Sequence, residues 1–201
     1  LVGYGVIEFK WEDENGNHRE QGDFDFWKSG HNVSLRVSKL GELIVWAGCA
    51  NGESWMFDFT QERSVLRVND KELIFADSLL ALQLIGLEPI PVRRDCWEEG
   101  WTVTFVDGLP SSLINEKGDL TWSAKLREPI GVEIAETHEL HWPITPSNID
   151  VISTVNDVEL KLAFAGLSTI VDEEPMDRVF NQAYLIEKLN PDSMIVFDES
   201  Q

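Results

Sequence analysis

Positive charge, cysteine and long apolar runs are all scarce in this sequence. Its 201 residues include 16 Lys and Arg against 36 Asp and Glu, so the formal net charge is −20. Nucleic acids and anionic lipid headgroups bind mainly through Lys and Arg, and this balance therefore argues against nucleic acid as a partner. No stretch of about 18 apolar residues occurs, so no membrane-spanning helix is predicted.

The two cysteines, Cys49 and Cys96, allow a single internal pairing. The sequence is compatible with one disulfide bond and with two buried thiols. The chain begins at Leu1 rather than Met, and we expect that an upstream segment has been removed. No glycine-rich nucleotide loop and no Gly-x-Ser-x-Gly motif is present, so the sequence predicts neither a cofactor nor a serine nucleophile.

Large apolar side chains alternate with polar ones in many short segments. Examples are Phe24 and Phe26, then Trp55, Phe57 and Phe59, then Trp101, Val103 and Phe105, and finally Trp122, Ala124 and Leu126. A period of two places one set of side chains on each face of a strand. The pattern predicts a mainly β protein, a strongly curved antiparallel sheet or half-open barrel of about 11 strands with one apolar and one polar face.

One segment near the middle of the chain predicts a short, very apolar helix. Residues 79–85 are mostly leucine, Asp77 or Ser78 can cap the first turn, and Gly86 can end the helix in a left-handed conformation. Further along the chain, the polar residues 115–118 predict a turn between two strands.

The C-terminal part predicts a second helix. Apolar residues recur at helical spacing between residues 176 and 189, and Asn190-Pro191 stops the pattern. We expect the helices to cover the concave face of the sheet. No composition shift marks an interdomain linker, so residues 1–201 are expected to form a single domain.

Two clusters superficially suggest metal sites. His138 and His141 are three residues apart in a strand-like segment, whereas a zinc protease needs a spacing of four on a helix. Asp13 begins an acidic turn, but Phe24 stands where a calcium loop needs its bidentate glutamate. No metal site is predicted.

Asp23 and Asp25 are the best candidates for catalytic carboxylates. They lie on one face of a predicted strand, about 7 Å apart, a separation compatible with a glycosidase pair. The same spacing is typical of the solvent-exposed face of any acidic sheet, so it does not by itself indicate catalysis. A hydrolase is therefore the least favoured function, and no catalytic residue is predicted.

The apolar face itself has two interpretations. It is an ordinary core against which the two helices pack, or it lines a cavity for acyl chains or another apolar ligand. The first describes a structural or protein-interaction module with a filled core and no ligand. The second describes a binding protein, and a continuous apolar cavity would distinguish it.

The order of these segments resembles the LolA/LolB-like family of bacterial lipoprotein carriers and receptors. The residues that carry the resemblance are strand segments 22–26, 33–41, 43–49 and 54–59, followed by the apolar helix at 77–86. The resemblance covers most of the chain as order and spacing. It implies a half-open antiparallel barrel closed by short helices.

The resemblance also implies a function. We expect a non-catalytic protein of the bacterial periplasm or outer membrane that shields an acyl chain of a lipid or lipoprotein, without cofactor or metal. The expected hydrophobic lining consists of Phe24, Phe26, Leu35, Trp55, Phe57, Leu79, Leu82 and Trp101. A carrier's lid-latching arginine has three candidates, Arg36, Arg63 and Arg67, and residues 109–114 are the nearest match to a receptor's exposed apolar loop.

Overall fold

The computed structural model describes residues 1–13, 16–71, 73–93, 96–117, 120–128, 130–133, 141–145, 148–153, 159–168 and 173–197. Strands dominate these residues, and the helices are short. The strands are β1 (Val2–Asp13), β2 (Gly16–Ser29), β3 (Asn32–Lys39), β4 (Glu42–Ala50), β5 (Glu53–Asp58), β6 (Val65–Val68), β7 (Val92–Arg93), β8 (Cys96–Trp97), β9 (Trp101–Val106), β10 (Leu109–Lys117), β11 (Leu120–Arg127), β12 (Ile130–Glu133), β13 (His141–Thr145), β14 (Asn148–Ser153), β15 (Glu159–Ser168) and β16 (Ser193–Val196). The helices are α1 (Ser78–Leu84), α2 (Glu173–Val179) and α3 (Gln182–Leu189), with a 3-10 helix at Ile74–Ala76.

The prediction of a mainly β, antiparallel protein with a few short helices is confirmed. The described residues contain more strands than the alternation predicted, partly because β7 and β8 are only two residues long and cannot show a period. Within the same residues, no helix has the length and apolar character needed to cross a lipid bilayer.

The chain forms two compact units. The first contains Leu1–Gly5, Gly22–Ala81 and Gly166–Gln201, and the second contains Val6–Gln21 and Leu82–Ala165. Strands β1, β2 and β15 and helix α1 contribute residues to both. The expectation of a single domain remains a prediction.

In the first unit, strands β2 to β6 follow one another in meander order, and β16 pairs in parallel with β6 at the edge. Asn51 and Gly52 connect β4 to β5 and have φ angles of 55° and 84°. Such angles are typical of the two-residue hairpin turn that Asn-Gly favours. The local sequence therefore determines this connection.

In the second unit, the strand order is β2-β1-β15-β14-β11-β10-β9, with the parts of β1, β2 and β15 that belong to it. The described pairs in this unit are antiparallel, and β9 is the edge strand. Two ribbons, β7–β8 and β12–β13, accompany the sheet. Residues 115–117 belong to β10, so the predicted turn begins too early.

The helix boundaries follow the capping residues. The Asp77 carboxylate accepts a hydrogen bond from the Leu80 amide at 3.0 Å, and Gly86, with φ 75°, follows the end of α1. The predicted C-terminal helix is split into α2 and α3, because Asn181 caps a new helix by accepting from the Tyr184 amide at 2.9 Å. Asn190 ends α3, as predicted, and it has a left-handed conformation.

Candidate functional site

The predicted lining residues of the first unit lie on two opposite faces of its sheet. Phe26 pairs with Leu35, and Leu35 pairs with Ala47. At the adjacent positions, Ser34 pairs with Gly48, and Gly48 pairs with Trp55. Because paired residues share a face and adjacent residues alternate, Trp55 and Leu35 point to opposite sides.

A β-bulge causes this separation. Val37 pairs with Val45 and Ser38 pairs with Leu43, so Ile44 is an extra residue in β4. One extra residue moves all later side chains of a strand to the other face. The expectation that Phe24, Phe26, Leu35, Trp55 and Phe57 line one surface is therefore wrong for Trp55 and Phe57.

Trp55 and Phe57 belong to a packed core beneath α3. Both are at most 1% exposed, and they cluster with Leu66, Val68 and the α3 residue Leu185. Side chains this inaccessible are surrounded by protein atoms at close packing. This face of the first unit corresponds to the filled-core interpretation.

The opposite face carries Phe24, Phe26 and Leu35. These side chains are 1–4% exposed. Cys49 lies on the same face, and its thiol hydrogen-bonds with Ser78 at the start of α1. Helix α1 therefore begins on this face, and α3 packs on the other, so the first unit's sheet is covered on both sides.

The two predicted lining residues of α1 differ in burial. Leu82 is fully buried, whereas Leu79 is 36% exposed. Successive positions of a helix point in different directions, and the leucine-rich sequence does not distinguish the buried stripe from the exposed one. Leu79 is therefore not part of an enclosed lining.

The second unit has the one-sided sheet that the alternation predicts. Its apolar face, here called the Trp101 face, consists of Trp101, Val103, Leu113, Asn115, Trp122, Ala124, Leu126 and Leu162. The neighbouring positions Thr102, Thr104 and Lys125 are exposed on the other side. This face has the amphipathic pattern of a sheet that is apolar on one side only.

Burial on the Trp101 face changes from its edge inward. Trp101 and Val103 on the edge strand β9 are half-buried. One strand further in, Leu113 is 0% exposed, and Trp122 on β11 is 5% exposed. The predicted lining residue Trp101 thus stands at the accessible border of a buried apolar surface.

Sequence reasoning identified the alternating residues of β9 and β11 on this face but missed those of β10. Residues 109–114, the nearest match to a receptor's exposed apolar loop, lie in β10, and Leu113 is buried. The two-residue spacing of Leu113 and Asn115, which places both side chains on one face of a strand, was the available signal. It was hidden because Asn115 and the polar residues after it resemble a turn.

Two of the candidate latch arginines are held by acids of their own unit. Arg36 Nη2 donates to Asp25 Oδ2 at 2.6 Å, and its guanidinium lies 5.6 Å from the Trp27 ring and 5.7 Å from the Trp46 ring. Arg67 donates to Asp70 at 3.1 Å. Each of these two guanidinium groups therefore has an acidic partner within the first unit.

A half-open cavity of about 330 Å³ lies at the β1–β2 hairpin of the second unit. Its lining comprises Lys10, Trp11, Glu12, Asn17, His18, Arg19 and Glu159. The Trp11 and His18 rings stack with centroids 5.0 Å apart. Lys10 Nζ donates to Glu159 Oε2 at 2.7 Å, and Arg19 Nε donates to Glu8 at 2.9 Å.

The charges at this cavity compensate each other. Hydrogen bonds from Arg19 lower the pKa of Glu8, and a hydrogen bond from Lys10 lowers the pKa of Glu159. A general acid needs the opposite shift, because it must hold its proton near neutral pH. The arrangement is that of an ion-pair network on a strand surface.

Where the structure describes them, the candidate catalytic and metal residues are not assembled into sites. Asp23 is exposed, and Asp25 is paired with Arg36. Among the residues that the structure describes, no group of three His, Cys, Asp or Glu side chains could hold a metal ion. His138 and residues 14 and 15, which follow Asp13 in the acidic turn, lie outside those residues.

No protein-family model matches this chain, and no curated protein sequence does either. Among solved structures, it is similar to a LolA superfamily protein from Nitrosomonas europaea, with a TM-score of 0.45 and 10% identity over 92% of this chain and 91% of the other. It is also similar to a domain described as an outer membrane lipoprotein-sorting protein from Vibrio parahaemolyticus, with a TM-score of 0.41 and 6% identity over 92% and 91% of the two chains. At this identity and these TM-scores, any argument about function must rest on the residues of this chain.

Proposed function

We propose that this protein is a non-catalytic binding protein for an apolar ligand, such as an acyl chain of a lipid or lipoprotein, in the bacterial cell envelope. The observation that supports the proposal is the Trp101 face. It combines a half-buried aromatic edge with a buried apolar interior on a sheet whose other side is polar. At the edge of such a surface, an apolar ligand can take the place of the protein atoms that contact the aromatic side chains.

The binding energy would come from the removal of apolar surface from water. Each buried methylene contributes about 0.8 kcal/mol, so a chain of modest length offsets the cost of its own ordering. Leu113 and Trp122 are already buried by other protein atoms. The ligand would therefore first contact Trp101 and Val103 at the edge of the face, and would then displace the protein atoms that cover Leu113 and Trp122.

The charge of the protein restricts the ligand. A net charge of −20 repels anions, so a neutral polar end is favoured over a carboxylate or phosphate. Neutral alkyl ligands are therefore the appropriate probes, and low salt should weaken binding of their anionic analogues most.

Native mass spectrometry with added dodecanol tests the proposal. We expect a one-to-one adduct in the wild-type protein, and we expect Trp101→Gln to weaken it by about tenfold or more, since about 1.4 kcal/mol corresponds to a factor of ten. Trp27→Gln is the matched control, because Trp27 is also a half-buried tryptophan in a strand, but it stacks on Arg36 in the first unit. Equal adducts in all three proteins, or a bare mass in each, would contradict the proposal.

A protein-interaction module with a filled core is the second candidate, and strand β16 favours it. Met194, Ile195 and Val196 are 58%, 46% and 55% exposed on an edge strand of the first unit. An exposed apolar edge is able to receive a strand from a partner. A bare mass with dodecanol, together with loss of a partner upon Ile195→Lys, would favour this function.

The location in the periplasm or at the outer membrane is part of the same proposal. It is supported by the LolA-like order of segments in the sequence. Fractionation of the producing bacterium tests it, and recovery in the cytoplasmic fraction would contradict it.

A further inference from the structure

Asn115 occupies the centre of an aromatic row on the Trp101 face. It pairs with Trp101 of β9 on one side and with Trp122 of β11 on the other. Residues paired across antiparallel strands have their side chains on the same face, about 4.5–5.5 Å apart at Cβ. The amide of Asn115 therefore lies between two tryptophans, next to the buried Leu113.

The carbonyl oxygen of this amide is buried and has no hydrogen-bond partner. Asn115 is 7% exposed, and its Oδ1 has no acceptor contact with any donor in the described part of the chain. Leaving such a group unsatisfied costs about 1–3 kcal/mol. Native proteins satisfy most buried polar groups, so an exception requires an explanation.

The residue also breaks the pattern of its surroundings. The neighbouring positions on the Trp101 face are Val103, Leu113 and Ala124, and an apolar residue of similar shape at position 115 would have no polar group to satisfy. Departures from local consistency are concentrated at functional sites. The presence of the Asn115 oxygen at this position is explained if a bound ligand donates a hydrogen bond to it.

We propose that Asn115 Oδ1 accepts a hydrogen bond from the ligand, and that the protein thereby selects neutral apolar molecules that carry an N–H or O–H group over plain hydrocarbon chains. This inference rests on the proposed function and adds a chemical class to it. The ligand's donor lies between Trp101 and Trp122, and its chain continues over Leu113. A ligand without a donor leaves the Asn115 oxygen unsatisfied and is bound more weakly.

Two matched pairs of neutral probes test the proposal by isothermal titration calorimetry. N-dodecylacetamide has an N–H group that N-dodecyl-N-methylacetamide lacks, and dodecanol has an O–H group that dodecyl methyl ether lacks. We expect the wild-type protein to bind at least one donor member about tenfold more tightly than its partner, the effect of one hydrogen bond worth about 1.4 kcal/mol. The two pairs also distinguish an amide donor from a hydroxyl donor.

Asn115→Leu is the decisive variant. We expect it to bind both members of each pair with equal affinity, and to unfold at the same or a higher urea concentration than the wild-type protein. Ser123→Ala is the control, because Ser123 pairs with Ile114 on the opposite face of the same strands. It should leave the preference unchanged.

Each outcome has a separate meaning. Equal affinities for donor and non-donor probes in the wild-type protein, or a preference that persists in Asn115→Leu, would overturn the role of Asn115 and leave the apolar-ligand function intact. Failure of all four probes to bind the folded wild-type protein would overturn both.

Discussion

Gly48 lies opposite Trp55 in the antiparallel pair of β4 and β5, and the Trp55 indole fills the space beside it. A β-carbon at Gly48 would lie 2.8 Å from Trp55 Cζ2 and 2.6 Å from the Val33 carbonyl oxygen. Both distances are shorter than a van der Waals contact. The absent side chain of Gly48 therefore allows a fully buried tryptophan to lie across the central strand.

Replacement of Gly48 by alanine should destabilise the protein. The added methyl group meets a backbone carbonyl and a buried ring, and such overpacking typically lowers the free energy of unfolding by about 1–3 kcal/mol. Urea denaturation followed by tryptophan fluorescence measures the change.

Gly166→Ala is the control for this prediction. Its added methyl group meets the ring of Tyr4, which is 59% exposed and free to rotate away. We expect a change of less than about 0.5 kcal/mol, as for an ordinary surface substitution. A change in Gly48→Ala as small as the one expected for Gly166→Ala would show that Trp55 and Val33 can adjust to a side chain at position 48.

The two cysteines should differ in reactivity. Cys49 and Cys96, both within the described residues, are thiols rather than a disulfide; Cys49 is buried and Cys96 is exposed. Burial raises the pKa of the Cys49 thiol, although hydrogen bonds with Ser78 act in the opposite direction. Since the thiolate is the reactive form, Cys49 should be inert in the folded protein.

Labelling with iodoacetamide at pH 8, followed by peptide mass spectrometry, checks this prediction. We expect Cys96 to be modified in the native protein and Cys49 only in urea. Cys96→Ser should abolish native labelling. Rapid native modification of Cys49 would indicate that the start of α1 opens readily over this face.

Ion pairing should make Glu159 titrate below its ordinary pKa of 4.5. The hydrogen bond from Lys10 is the largest cause of the shift, followed by the hydrogen bond from Lys161. Because the folded protein favours the ionised form, this contribution to stability is present above pH 4.5 and is lost as the pH falls through the lower folded value.

Carbon-detected NMR titration of the glutamate carboxyl groups measures the shift. Lys10→Met should raise the pKa of Glu159 toward its ordinary value, and Lys161→Met should raise it less. A Glu159 pKa that does not respond to Lys10→Met would mean that the 2.7 Å hydrogen bond is not maintained in solution.

Local rules predicted much of the fold. The alternation of Trp101 with Thr102 follows from the geometry of a single strand, and Asn51-Gly52 favours a tight turn whatever surrounds it. Asn190 ends a helix for an equally local reason, since it adopts the left-handed conformation with little cost. Such features depend on a few adjacent residues, and their sequence signals are therefore direct.

The candidate site depended on less local interactions. Asn115 resembles a turn residue in the sequence, but pairing with Trp101 and Trp122 keeps it inside a strand. Its unsatisfied oxygen results from burial by the tertiary structure. No local pattern distinguishes a buried asparagine from an exposed one.

By itself, the sequence determined that the protein is a mainly β structure with aromatic faces, short helices and an acidic surface, because periodicity, caps and charge are properties of neighbouring residues. Only the tertiary structure decided which aromatic residues share a face. The bulge at Ile44 shifts the pairing of β4 by one residue and moves Trp55 to the side opposite Leu35. The two-residue alternation along a strand does not reveal such an insertion. The hydrogen-bond pairing between the strands therefore decides which side chains belong to the filled core beneath α3 and which to the other face of the sheet.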